Sequence, residues 1–230
     1  MAANIFTNDT VADYFNKTFI CAKVDMEKGE GPVLSKKFEV RAYPTLLFAD
    51  TTGTMIHKKV GAEHNAQDFI NLAKIAQNPG ECLAFYVRQY NAGIRTPEFM
   101  MTYFDRISDT YTPVDELLNQ YFSKVAEADF LNRTNWNITY QHVNDMDSKA
   151  FTYLVKNTTQ YEQLYTVDSV NQKIWQVYAN ELSQLIRRQP FSEESYNKLK
   201  KEILNSGFRL APEVTATTDQ WLQQYKKQNQ

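Results

Sequence analysis

Residues Val40-Arg41-Ala42-Tyr43-Pro44-Thr45-Leu46-Leu47-Phe48 constrain the fold more than any other stretch of the chain. Pro44 fixes its own φ and has no N–H to give to a ladder, so it belongs at the very start of a strand. Thr45 to Ala49 then reads as that strand, a short apolar run fit to be buried in a sheet. Asp50-Thr51-Thr52-Gly53 is a turn, and Met55 to Val60 is a second, more polar strand nearer an edge. A tight turn at Gly53 makes this pair antiparallel.

The flanking segments alternate. Asp9 to Asn16 has a helical pattern, with Val11, Ala12, Tyr14 and Phe15 apolar. Thr18 to Val24 is rich in β-formers and is expected to be a buried strand carrying Cys21. Asp25 to Gly31 is a charged, solvated connector without the spacing of a calcium loop. Pro32 to Phe38 is a helix with its proline in the first turn, and Asn65 to Ala76 is an amphipathic helix.

Beyond residue 77 only helical periods and caps are found. Expected helices run over Pro79–Asn91, ended by Gly93, then from Thr96 as N-cap with Pro97 at the first helical position, and from Thr112 as N-cap with Asp115 behind it. Later ones span 128–143, 148–165, 169–188, 193–205 and 217–227, and the tail Lys226–Gln230 is expected to fray. Short links imply antiparallel helix pairs, although no fixed repeat can be aligned. The expected organisation is therefore residues 1–77 as an α/β domain and 78–230 as an all-α domain.

The chain has 230 residues, a net charge of −2, 14 Tyr and 14 Phe. That balance gives no reason to expect nucleic acid as a partner. No apolar run approaches the ~20 residues that span a bilayer, and Met1–Phe6 has neither the basic start nor the apolar stretch of a leader. The two cysteines, Cys21 and Cys82, fit no metal or redox spacing. Cys82 falls in a first helical turn, where the dipole favours thiolate, and a Cys21–Cys82 disulfide is left open. His57, His64 and His142 are scattered without metal spacing, with His57 expected to face solvent or a strand neighbour. No cofactor, metal site or catalytic residue is expected.

Val11-Ala12-Asp13-Tyr14-Phe15-Asn16, Lys23-Val24-Asp25, Gly31-Pro32, Lys37-Phe38-Glu39-Val40, Tyr43-Pro44-Thr45-Leu46-Leu47-Phe48, Gly53 and Gly61 together resemble the thioredoxin-like thiol-disulfide oxidoreductases. The branch concerned carries a helical C-terminal extension, and the likeness covers about the first third of the chain. It implies an incomplete thioredoxin-like α/β fold followed by the helical domain. It also implies a cis Tyr43–Pro44 bond. Ala42, Tyr43, Pro44 and Thr45 become substrate-binding residues, with the Tyr43 backbone pairing to an extended substrate chain. The dithiol motif that faces this loop in the family is missing here. The resemblance thus implies a protein related to cell redox homeostasis but redox-inactive in this chain, with Met1 lying inside the helix that follows the motif. It implies a protein thiol, disulfide or partner protein as ligand, and relatives exported to the bacterial envelope. The alternative is a non-enzymatic binding or scaffold protein whose helical half engages a partner.

Overall fold

Short capped helices dominate the molecule because polar capping residues recur just before apolar periodic runs. The computed structural model describes residues 5–228. In unit 1, Met1–Pro113, helix α1 covers Asp9–Thr18 and α2 covers Gly31–Lys37. Strands β1 (Thr45–Ala49) and β2 (Met55–Val60) follow, then α3 (Ala66–Gln77), α4 (Leu83–Asn91) and α5 (Pro97–Ser108). Side chains of Asn8, Asn65 and Thr96 accept from backbone N–H groups at the starts of α1, α3 and α5, each satisfying a donor that a helix leaves unpaired.

β1 and β2 form an antiparallel pair, with Thr45 opposite Val60 and a bulge between Phe48 and Ala49. Ile5, Val11, Phe48, Phe69, Ile70, Leu72, Ala73 and Ala76 make one buried cluster that joins α1, α3 and one face of β1. The Phe15 and Phe69 rings stack within it at 4.3 Å. On α4 and α5, stacked pairs Tyr86–Phe99 (5.4 Å) and Tyr90–Tyr103 (4.6 Å) hold the two helices together, adding to the area they bury.

Unit 2, Val114–Gln230, contains α6 (Asp115–Lys124), a 3-10 turn at Glu127–Leu131, α7 (Arg133–His142), α8 (Lys149–Lys156), α9 (Thr158–Leu164), α10 (Val167–Arg187), α11 (Glu193–Leu204) and α12 (Ala211–Gln228). Helix α10 is central to it and packs against α8, α9, α11 and α12. It buries residues on more than one side, from Val170 and Ile174 to Leu182 and Ile186, as a helix enclosed by others must.

This fold is not the thioredoxin-like α/β domain plus helical domain implied by the resemblance. It is mostly helical, and its sheet has two antiparallel strands. The decisive difference is Thr18–Val24. Its first residue closes α1, Phe19 is extended, and residues 20–25 are all exposed. Ile20 is at 104% relative exposure and Cys21 is exposed rather than buried. β propensity forms a strand only where a neighbour supplies hydrogen bonds, and no strand lies beside this segment among the described residues.

Smaller expectations also change. Thr112 does not cap a helix, because its hydroxyl pairs with that of Thr110 and α6 begins at Asp115 behind Val114. The stretch 128–143 is interrupted at Asn132, whose side chain accepts from Asn135 N–H and starts α7 afresh. The stretch 148–165 is similarly divided at Asn157. The expected division at residue 77 falls inside unit 1, because α4 packs on β2 and α5 on α4. Helix α12 continues through Lys226 and Lys227, while Met1–Asn4 and Asn229–Gln230 lie outside the described residues.

Candidate functional site

The loop Ala42–Thr45 is held from both sides, and its hold begins at the end of α2. Four carbonyls at a helix C-terminus lack helical partners. Here Lys58, a β2 residue only 5% exposed, reaches that end. Its Nζ donates to the carbonyls of Phe38 (3.1 Å) and Glu39 (2.8 Å). Burial pulls the Lys58 pKa down, and the neighbouring Glu39 carboxylate works against that shift. Glu39 itself sits at a positive φ of 49°, a conformation that lets the chain reverse out of the helix. Val40 N–H then donates to Ser35 O at 2.9 Å, fixing the exit direction.

On the other side, Thr45 Oγ1 donates to Ala42 O at 2.7 Å. Gly61 N–H donates to Pro44 O at 2.8 Å. The Tyr43–Pro44 bond is cis. Between these anchors Tyr43 stands out at 63% exposure, with Pro44 also exposed. The four residues named from sequence are therefore contiguous at the head of β1, on the surface, with their backbone fixed by side chains and backbone from α2, β2 and the chain after it.

The ladder pattern decides what β1 offers. Pro44 O takes the Gly61 N–H, so in an antiparallel pair the next residues to bond across are Leu46 with Lys59 and Phe48 with His57. The N–H and C=O groups of Thr45 and Leu47 therefore point away from β2. Among the described residues β1 has no other strand beside it. The outer edge of β2 is treated differently: Val60 N–H donates to Asp109 O at 2.8 Å, so the residue just after α5 covers it. The site is a fixed, exposed loop leading into a strand with an open edge.

Sequence reasoning missed the two residues that support this site from behind. His57, expected to face solvent or a strand neighbour, is completely buried, with the Phe48 ring of β1 6.1 Å away. Its Nδ1 accepts the Leu83 N–H at 3.1 Å, at the first residue of α4, whose N-cap Cys82 offers no side-chain hydrogen bond. Burial, with the positive charges of Arg106 and Lys59, pushes its pKa down to about 4. Cys82 is buried and Cys21 exposed, and both thiols are free. No group of three or more His, Cys, Asp or Glu side chains is placed to hold a metal ion among the described residues. Among the described residues no helix is long and apolar enough to cross a membrane. A strand lysine and a strand histidine give no sequence signal of this kind, since the partners of Lys58 are backbone carbonyls about twenty residues away.

No protein-family model, curated protein or solved structure matches this chain.

Proposed function

We propose that this chain is a redox-inactive, non-enzymatic binding protein that holds an extended, apolar polypeptide segment along β1, with Tyr43 and Pro44 at the head of the bound strand. The observation that carries this reading is the open edge of β1. Thr45 and Leu47 present a donor and an acceptor each on a rigid, surface strand, and an added strand satisfies all four groups at once. The relation to thiol-disulfide oxidoreductases is proposed on the Ala42–Thr45 loop alone. The two thiols support redox inactivity, because one is exposed in an extended segment and the other is buried at the start of a helix.

The test titrates the isotopically labelled full chain with a seven-residue peptide of alternating Val and Thr. Thr45 and Leu47 amide resonances are expected to shift and gain protection from exchange. In Leu47→Pro the shifts vanish, since proline removes an outward N–H while the Leu46 and Phe48 bonds to β2 remain. Peptide-induced shifts that bypass residues 43–49, or binding unaltered by Leu47→Pro, refute the reading. Dithiol-dependent reduction of insulin by the chain refutes its redox inactivity.

A further inference from the structure

The start of α4 is held to the sheet by an imidazole that tolerates no second proton. The turn Asn78–Glu81 is exposed, but the bond at Leu83 N–H lies in buried surroundings, with Cys82 at 6% and Leu83 at 5% exposure and His57 fully buried, so water does not compete for that donor. His57 Nδ1 is its acceptor at 3.1 Å. Nε2 therefore carries the ring proton, and it finds no hydrogen-bond partner among the described residues. A second group grips the same turn, as Arg106 Nε on α5 donates to Glu81 O at 3.2 Å.

We propose that His57 is an acid-sensitive latch: protonation at Nδ1 detaches the start of α4 from β2 and lets the α4–α5 hairpin move off the sheet. Three effects act in the same direction. A protonated Nδ1 is a donor facing a donor, so the hydrogen bond to Leu83 becomes a repulsive contact. The imidazolium also faces the positive end of the α4 dipole. The charged groups that bear on the ring are Arg106 on α5 and Lys59 on β2, both cationic. The neighbouring carboxylates, Glu63 and Asp109, are engaged with Lys59 at 3.0 and 3.9 Å. β1 brings only the Phe48 ring, 6.1 Å away. The imidazolium thus has no compensating anion.

The consequence reaches the edge of the sheet. Asp109 closes α5 and its carbonyl covers the Val60 N–H of β2. Movement of the hairpin uncovers that group, so acid opens a second strand edge opposite the one on β1.

The sign follows from the direction of the shift. The folded pKa, about 4, lies below the ordinary 6.5, so the latch is intact above pH 6.5 and is lost as pH falls toward 4. At pH 5 the two values raise the opening equilibrium roughly 30-fold over neutral pH. Amide hydrogen exchange on the full chain reads this directly. Protection factors over residues 83–91 are expected to fall about 30-fold between pH 7.5 and pH 5, while those of α3 stay constant. His57→Asn keeps a neutral acceptor near the Nδ1 position, and its α4 protection should not depend on pH. Unchanged α4 protection in the native chain, or an equal fall in His57→Asn, overturns the proposal. If His57→Asn does not fold, the imidazole C2–H titration of the native chain decides. A His57 midpoint well below the ordinary 6.5 supports the latch, and an ordinary midpoint overturns it.

Discussion

Replacing Lys173 by methionine should stabilise unit 2. Lys173 lies on α10, is 0% exposed, and its Nζ has no hydrogen-bond partner among the described residues. Burial alone pushes its pKa from 10.5 down to about 8. A lowered folded pKa on a base means that the unfolded chain holds the proton more tightly, so the fold is penalised wherever the lysine is charged in the unfolded state. The interval between 10.5 and about 8, at roughly 1.4 kcal/mol per decade, makes that penalty about 3 kcal/mol at pH 7. The penalty shrinks through pH 8 and is gone above pH 10.5. Methionine keeps the length of the side chain and removes the amine. The expected gain is about 1–3 kcal/mol at pH 7, because imperfect repacking takes back part of the electrostatic relief. Trp136, Trp175 and Trp221 all belong to unit 2, so urea unfolding followed by tryptophan fluorescence reports on the right unit. The native chain should gain about 2 kcal/mol between pH 7 and pH 9.5 relative to Lys173→Met. A destabilised methionine variant, or a difference between the two proteins that does not change with pH, refutes the argument.

Two further changes test the packing within each unit. Tyr161 is fully buried and donates to Phe130 O at 3.0 Å. Tyr161→Phe should cost about 1–2 kcal/mol by leaving a buried carbonyl short of a donor, read by the same fluorescence melt. A β-carbon at Gly31 would stand 2.0 Å from the backbone oxygen of Asp25 and 2.6 Å from the Met26 Cα. Gly31→Ala should therefore cost unit 1 about 1–3 kcal/mol, seen as an earlier thermal transition in the tyrosine circular-dichroism signal and absent from the tryptophan signal.

Local signals survived in the structure where the chemistry they describe is local. β1 and β2 occupy the residues read as strands, Thr45–Ala49 and Met55–Val60, because a turn at Gly53 brings each beside the other without help from distant sequence. Thr96 and Ser148 stand at helix starts for the same reason, since a cap bonds three residues ahead. Thr18–Val24 shows the limit. Its composition favours a strand, but pairing depends on a partner elsewhere, and the segment leaves α1 without forming one, exposed from residue 20 onward. The division at Asn132 was hidden because apolar residues continue on both sides of it, and nothing in their spacing tells whether an asparagine continues a helix or restarts one. His57, Lys58 and Lys173 were illegible for a different reason. A polar side chain becomes a buried one only when helices distant in sequence close over it, and hydrophobic periodicity carries no record of that.

Lys58 and His57 make the candidate site intelligible as a unit. A two-stranded sheet alone is marginal in water, so this one needs helices fixed to it. Adjacent residues of β2 supply the fixing, and they address opposite helix ends. Lys58 donates to the carbonyls that follow α2, where a cation is favoured by the helix dipole. His57 accepts from the first N–H of α4, where a cation is disfavoured. The same strand therefore requires one base to stay charged and its neighbour to stay neutral. Above about pH 6.5 and below the lysine range both conditions hold in full, α2 and α4 are both tied to β2, and the Ala42–Thr45 loop has a fixed base. As acid removes the His57 tie, α4 and α5 are freed while the Lys58 anchorage of the loop is unaffected, because falling pH only secures the lysine's charge. The open edge of β1 should thus keep its geometry under conditions that uncover β2, so peptide capture at Thr45 and Leu47 and release of the α4–α5 hairpin are separable by pH.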